Sequence, residues 1–113
     1  MSARFEIAKN AAGQFIFRLK AANGEQLLRS ESYTTKASAQ NGIASVKKNC
    51  KLDARYERLT ASNGQFYFNL LAANYQIIAT SELYTTLAAQ EHGISVVKQL
   101  APKVAIADAT AAR

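Results

Sequence analysis

The chain writes one pattern twice with no insertion between the copies. Gly13 to Cys50 reads GQFIFRLKAANGEQLLRSESYTTKASAQNGIASVKKNC, and Gly64 to Ala101 reads GQFYFNLLAANYQIIATSELYTTLAAQEHGISVVKQLA. Gln14 and Gln65, Tyr33 and Tyr84, and Ile43 and Ile94 are each 51 residues apart. A solenoid needs three or more units, so that each can bury its apolar face on a neighbour. Two copies in 113 residues point instead to one globule with an internal pseudo-twofold axis. The chain therefore reads as a single domain, 1–113. Repeat one covers about 3–51, repeat two about 54–102, and a final strand about 103–108.

Within each copy the apolar period changes once, from two to three and four. Arg4 to Ala8 alternates with Phe5 and Ile7 inward, and Gln14 to Ala21 alternates with Phe15, Phe17 and Leu19 inward and Gln14, Ile16, Arg18 and Lys20 outward. Asn10 to Gly13 joins the two strands. Asn23-Gly24 predicts a two-residue type I′ hairpin, followed by an antiparallel strand at about Gln26 to Glu31. Thr35 is then placed as a helix N-cap, and Ala39, Ile43, Val46 and Cys50 fall on one helical stripe. Gly42 in mid-helix costs about 1 kcal/mol relative to Ala; its return as Gly93 implies a close approach of helix to sheet. Asp53 to Thr60 is predicted as one strand serving both copies. Phe66, Phe68 and Leu70 repeat the inner face, and Ile77-Ile78 open the next strand. A second helix runs from after Thr86 to about Leu100, stopped by Pro102. Tyr75 stands where the first copy has Gly24, so that turn either changes type or holds a bulky residue at positive φ. Lys103 to Asp108 reads as the last strand, and Ala109 to Arg113 is expected to fray.

The pattern G-Q-F-x-F-x-L-x-A-A-N, then S-E-x-Y-T-T, then G-I-x-x-V-K, resembles the YegP-like family of small prokaryotic proteins over nearly the whole chain. The resemblance implies an α+β fold: two tandem β3-α-β repeats forming one mainly antiparallel sheet, with two helices on one face and exchanged C-terminal strands. It implies no activity and supplies no catalytic residues, because the family is of uncharacterised function. The repeat arithmetic makes the same topological demand. If Asp53 to Thr60 already belongs to the second hairpin, symmetry requires Lys103 to Asp108 to cross over and pair beside Arg4 to Ala8. The two helices are expected side by side over Phe15, Phe17, Phe66 and Phe68, the only apolar face they can cover.

Cys50 is the only cysteine, so neither an internal disulfide nor a Cys-based metal site can be built, and a reducing compartment is the economical reading. With no apolar leader and no run long enough to span a bilayer, the chain reads as a cytoplasmic monomer without membrane contact. The net charge of +6 is uneven: residues 1–51 carry nine Lys or Arg against three acids, and residues 52–113 carry five of each. The basic half can attract nucleic acid or another polyanion, with Arg18, Lys20, Lys47, Lys48 and Lys51 as the patch. Solubility is the competing explanation. Lys47, Lys48 and Lys51 also crowd the last helical turn, where cations complement the dipole.

Catalysis is poorly supplied. His92 aligns with Asn41 on an exposed flank, and Cys50 occupies a stripe position and aligns with Ala101, as a small buried hydrophobe would. No phosphate-cradling loop, metal-ligand cluster or nucleophile elbow is present in the sequence; no metal, no cofactor and no enzyme activity are expected. One constellation stands out. S-E-x-Y-T-T occurs as Ser30, Glu31, Tyr33, Thr34 and Thr35 and again as Ser81, Glu82, Tyr84, Thr85 and Thr86. It spans a strand end and a helix start, where hydroxyls and free N–H groups can bind an anion or other ligand. The competing reading gives Thr the cap, Tyr the packing and Ser the loop amides. Three functions follow: a non-catalytic binding or interaction module, a sequence-independent polyanion binder using the basic repeat, and an enzyme centred on Ser-Glu-Tyr.

Overall fold

A computed structural model describes residues 3–108 and Thr110. The period-two segments become strands and the period-3.6 segments helices, in the order β1 (Arg4–Lys9), β2 (Phe15–Lys20), β3 (Gln26–Ser30), α1 (Lys36–Asn49), β4 (Tyr56–Thr60), β5 (Phe66–Leu71), β6 (Ile77–Thr80), α2 (Leu87–Leu100) and β7 (Ala105–Asp108). The strands form one sheet ordered β4-β5-β6-β3-β2-β1-β7. The pseudo-twofold axis falls between β3 and β6, which pair antiparallel through Arg29 with Thr80 and Ser30 with Ala79.

Pairing partners share a face of a sheet, so the register assigns sides. Phe5 and Leu19, Ile7 and Phe17, Leu19 and Leu28, Leu70 and Ala79, and Tyr56 and Leu70 are paired, and Ser30 with Ala79 joins the two halves. All of these lie on one face and, with Ile43, Val46, Ile94 and Val97 from the helices, make one core. Both helices therefore cover the same face. α1 spans β1, β2, β5 and β6, and α2 rests on β5. Of the two, α1 crosses the axis onto the second copy's strands. Phe17 and Phe68 are fully buried under the helices, and Phe15 and Phe66 only partly.

The alternation is interrupted at one place in each copy. Between Leu19 and Lys20 the register with β3 shifts, leaving Leu27 as an extra buried residue, and between Leu70 and Leu71 the register with β6 shifts, leaving Ile78. Such bulges let two successive residues face the core.

The hairpin at Asn23-Gly24 differs from the two-residue type I′ turn read from the sequence. The Ala21 N–H donates to the Glu25 carbonyl (2.8 Å), the Gly24 N–H donates to the Ala21 carbonyl (2.9 Å), and Gly24 alone has positive φ, 87°. That is a three-residue loop ending in a left-handed residue. The Asn23 side chain accepts from the Glu25 N–H (2.9 Å) and so favours this form. The same pattern closes Asn10 to Gln14, Ala61 to Gln65 and Ala72 to Gln76. At the last of these Tyr75 keeps the left-handed position, φ 68°, although it is 72% exposed. A bulky residue there costs about 1–2 kcal/mol. Asp53 to Thr60 is also corrected: Asp53–Arg55 is a 3-10 turn and the strand starts at Tyr56. Arg55 donates to the Asn49 side chain (2.9 Å) and the Arg55 N–H to the Leu52 carbonyl (3.0 Å), which tie this turn to the end of α1.

The final strand makes the predicted exchange. β7 crosses to the far edge and runs parallel to β1, placing Ala105 to Asp108 opposite Arg4 to Ile7. Two lysines of α1 clamp it: Lys36 pairs with Asp108 (2.8 Å) and Lys47 donates to the Val104 carbonyl (2.8 Å). Of the tail expected to fray, Thr110 donates its N–H to Asp108 (2.8 Å); Ala109 and Ala111 to Arg113 lie outside the described residues.

Candidate functional site

In both copies the hydroxyls of S-E-x-Y-T-T are committed to the backbone around them. Ser30 accepts from the Phe17 N–H (2.9 Å) and donates to the Glu31 carbonyl (2.7 Å); Ser81 accepts from the Phe68 N–H (2.9 Å) and donates to the Glu82 carbonyl (2.8 Å). Each serine thus replaces a ladder acceptor where the strand leaves the sheet. Three residues on, Tyr33 exchanges backbone bonds with Phe15, and Tyr84 with Phe66. Thr35 and Thr86 cap α1 and α2, accepting from the Ser38 N–H (3.1 Å) and the Ala89 N–H (3.0 Å). Tyr33 stacks on Phe17 at 6.2 Å, and Tyr84 on Phe68 at 6.3 Å. Burial, and then the Glu31 charge, hold the Tyr33 phenol above its ordinary pKa; burial, then Glu25 and Glu82, do the same for Tyr84. Glu31, Glu82, Thr34 and Thr85 are exposed. The two motifs lie on opposite sides of the β3–β6 pair rather than in one pocket.

The basic residues divide. Lys47 holds the β7 strand and lies over the Phe5 ring at 5.8 Å. Lys48 and Lys51 are exposed around the end of α1. Arg18 and Lys20, by contrast, point from β2 to the face without helices, because their partners there are Glu6 and Arg4. The bulge at Leu27 brings Arg29 to the same face, directly opposite Arg18. A pair of residues across a sheet interacts strongly, and like charges so placed destabilise. Among the described residues neither Arg18 nor Arg29 has a carboxylate within ion-pair distance; Glu6, next in the row, is engaged by Lys20 (3.2 Å) and Arg4 (3.6 Å). The two-residue turn read from the sequence would already set Arg18 opposite Arg29; in the structure the three-residue loop displaces that register by one, and it is restored by the bulge. Its signal was the successive apolar pair Leu27-Leu28, matched 51 residues later by Ile78-Ala79.

One transverse row of this face runs Glu57, Asn69, Thr80, Arg29, Arg18, Glu6 and Ala107. In repeat two it is closed by hydrogen bonds, Thr80 to Asn69 (2.8 Å) and Asn69 to Glu57 (3.1 Å). In repeat one it presents two guanidinium groups. His92 is exposed, and Cys50 is buried with its thiol pushed up by that burial. Among the described residues no three metal-ligating side chains gather, and no helix is long and apolar enough to cross a membrane.

Two β3-α units sharing a sheet and trading their last strands define a tandem-repeat α+β protein, and the comparisons agree. The family model "Domain of unknown function (DUF1508)" matches twice, at residues 10–57 and 61–108. The chain is 55% identical over 98 residues to the UPF0339 protein YegP of Escherichia coli K12, covering 87% of this chain and 89% of that protein. The solution structure of E. coli yegP, described as a protein of unknown function, matches with a TM-score of 0.91 at 50% identity, covering 100% of this chain and 97% of that one. A UPF0339 protein of Shewanella oneidensis matches with a TM-score of 0.88 at 47% identity, covering 96% and 92%. The chain belongs to the UPF0339, YegP-like family of small bacterial proteins of unknown function.

Proposed function

We propose that the chain is a non-catalytic binding module acting as a monomer in the cytoplasm, and that its contact surface is the helix-free face of repeat one, which takes nucleic acid or another polyanion without reading sequence. The observation that carries this reading is the Arg18–Arg29 pair, two like charges opposed across β2 and β3 with no ion-pair partner among the described residues, Glu6 beside Arg18 being engaged by Arg4 and Lys20. A phosphate between them would relieve the repulsion and gain charge-assisted hydrogen bonds. Arg4 and Lys20 on the same face, now shared with Glu6, would add further phosphate contacts, and contacts to phosphate carry no sequence information. The free, buried Cys50 fits a reducing compartment.

The test is fluorescence anisotropy with labelled single-stranded oligonucleotides of unrelated sequence, titrated at several salt concentrations. Affinity should fall steeply with salt, and Arg18→Gln/Arg29→Gln should flatten the log–log slope by about 0.7, the one single-strand phosphate held between the pair. The same variant should be more stable by roughly 0.5 kcal/mol, having lost a like-charge pair. Lys51→Gln, at the helix end, should leave the slope unchanged. Binding that survives high salt, that distinguishes sequences, or that ignores the double variant refutes the proposal.

A further inference from the structure

The repeat supplies an internal control, since residues 51 apart occupy equivalent places in one sheet. A cleft of about 330 Å³ opens between α1 and the β5–β6 tip, lined by Ser45, Lys48, Asn49, Ala72, Ala73 and Asn74; this lies at the small end of ligand pockets, roughly 300–1,000 Å³. The equivalent slot, between α2 and the β2–β3 tip, has Val96 for Ser45 and Leu100 for Asn49. Both are packed against the core, as is Ala21. The apolar pair that fills one slot is therefore replaced by smaller polar groups in the other. The two further differences at this place are Lys48 for Gln99 and Tyr75 for Gly24. Tyr75 follows Asn74 directly, keeps a left-handed backbone that glycine adopts freely, and is not held there by burial.

We propose that this cleft binds a small oxyanion, a phosphate monoester or a carboxylate, carried on a planar ring that stacks on Tyr75. The chemistry of the lining sets the charge. Lys48 is an exposed ammonium, the Ser45 hydroxyl can donate, and the Asn74 amide nitrogen is left over because its oxygen accepts from the Gln76 N–H (3.1 Å). No carboxylate lines the cleft. Asn49 forms a fixed wall: it donates to the Ser45 carbonyl (2.8 Å) and accepts from the Arg55 guanidinium (2.9 Å), which brings a second positive charge close. A strained, exposed aromatic one residue along the chain from a donor-lined cleft is within reach of a stacking contact with a ring held there. The site is separate from the Arg18–Arg29 face, so either can fail alone.

Amide shifts of the full chain are read during titration with phenyl phosphate, benzoate and inorganic phosphate. Saturable shifts at residues 45–49 and 72–76 are expected with at least one ring-bearing probe, and which of the two binds tells phosphate from carboxylate. Inorganic phosphate should bind more weakly. Lys48→Gln should weaken binding about tenfold, the loss of a charge-assisted hydrogen bond. Tyr75→Gly should weaken it about fivefold and yet raise the unfolding midpoint, because the first copy's residue relieves the backbone. Ser45→Val/Asn49→Leu should abolish the shifts; should it fail to fold, the exposed Lys48 decides. The proposal is overturned if no probe gives saturable shifts at these residues, if Lys48→Gln or Tyr75→Gly binds like the parent, or if the shifts lie instead around Arg18 and Arg29.

Discussion

Replacing a mid-helix glycine by alanine ordinarily stabilises a helix by about 1 kcal/mol, and in this chain it should do the reverse at two equivalent places. A Cβ on Gly42 would press on the Tyr33 hydroxyl, with Phe17 Cε2 at 2.8 Å and Tyr33 Cζ at 2.9 Å. At Gly93 the three nearest atoms all belong to Tyr84, its hydroxyl and then Cζ at 2.6 Å and Cε1 at 3.3 Å. Neither ring can swing aside cheaply, since each is stacked on a buried phenylalanine at 15° and 6° between planes. Overpacking of this kind costs about 1–3 kcal/mol, so the net effect of Gly42→Ala or Gly93→Ala is a loss of up to about 2 kcal/mol once the helix gain of about 1 is set against it. Urea unfolding reads this directly, and the two sites differ in how they are rescued. In a Tyr84→Leu background Gly93→Ala should become stabilising by about 1 kcal/mol, the bare helix propensity. In a Tyr33→Leu background Gly42→Ala should recover only partly, because Phe17 remains. A stabilising Gly93→Ala in the parent chain would refute the reasoning, as would an unchanged cost after Tyr84 is removed.

Two further outcomes concern the exchanged strand. A chain cut after Ala101 loses the β7 ladder, buried Val104 and both lysine clamps, and uncovers the edge at Phe5 and Ile7, a loss of about 2–4 kcal/mol from side-chain burial alone; it should unfold or aggregate in circular dichroism and light scattering, whereas removal of Ala111 to Arg113 should change neither, and a folded, monomeric short chain would show that β7 is dispensable. Lys36, then Thr110, hold the Asp108 carboxyl down at about 2, below an unfolded value of about 3.9, so the Lys36 contact is fully present above that value and is lost as pH falls through it toward 2; amide protection of Arg4 to Ala8 should drop first in acid, and Lys36→Met should reduce that pH dependence to the part that Thr110 sustains, while early loss elsewhere would argue against the clamp.

The topology was legible because the offset of 51 forces each element to have a partner. Thr35 and Thr86 as caps, the inner face of Phe17, Leu19, Phe68 and Leu70, the close approach at Gly42 and Gly93, and the crossing of Lys103 to Asp108 were all readable from it. What escaped was register. Asn-Gly suits both a two-residue and a three-residue loop, and the choice depends on the Ala21–Glu25 pair and on the Asn23 side chain that accepts from the Glu25 N–H as well as on the turn dipeptide itself. The bulge at Leu27 offsets the extra loop residue, so the pairing of Arg18 with Arg29 is the one that a two-residue turn would give, reached by a different path. Lys36 and Lys47 could not be read as clamps because the atoms they hold, on Asp108 and Val104, lie 72 and 57 residues away. Part of the basic surplus that looked like one patch is therefore structural; Lys48 and Lys51 stay exposed at the helix end, and Arg18 and Lys20 lie on the other side of the sheet.

Repetition itself separates the scaffold from the surface that can carry function. Ser30 and Ser81, Tyr33 and Tyr84, Thr35 and Thr86, and Gly42 and Gly93 recur because each does the same mechanical task in each half, and those tasks occupy their polar atoms or their space. The most conspicuous motif in the sequence is for that reason a poor place to look for a ligand. Positions that differ between halves are free of that demand. At the row across the open face, repeat two uses Asn69 and Thr80 to close a hydrogen-bonded line to Glu57, a neutral and satisfied arrangement on the same pleated frame. Repeat one has Arg18 and Arg29 at those two positions beside Glu6. The frame thus accommodates a quieter solution, and the first half instead presents two opposed cations to solvent at a cost in stability. Packing does not require that choice, and a bound anion would explain it.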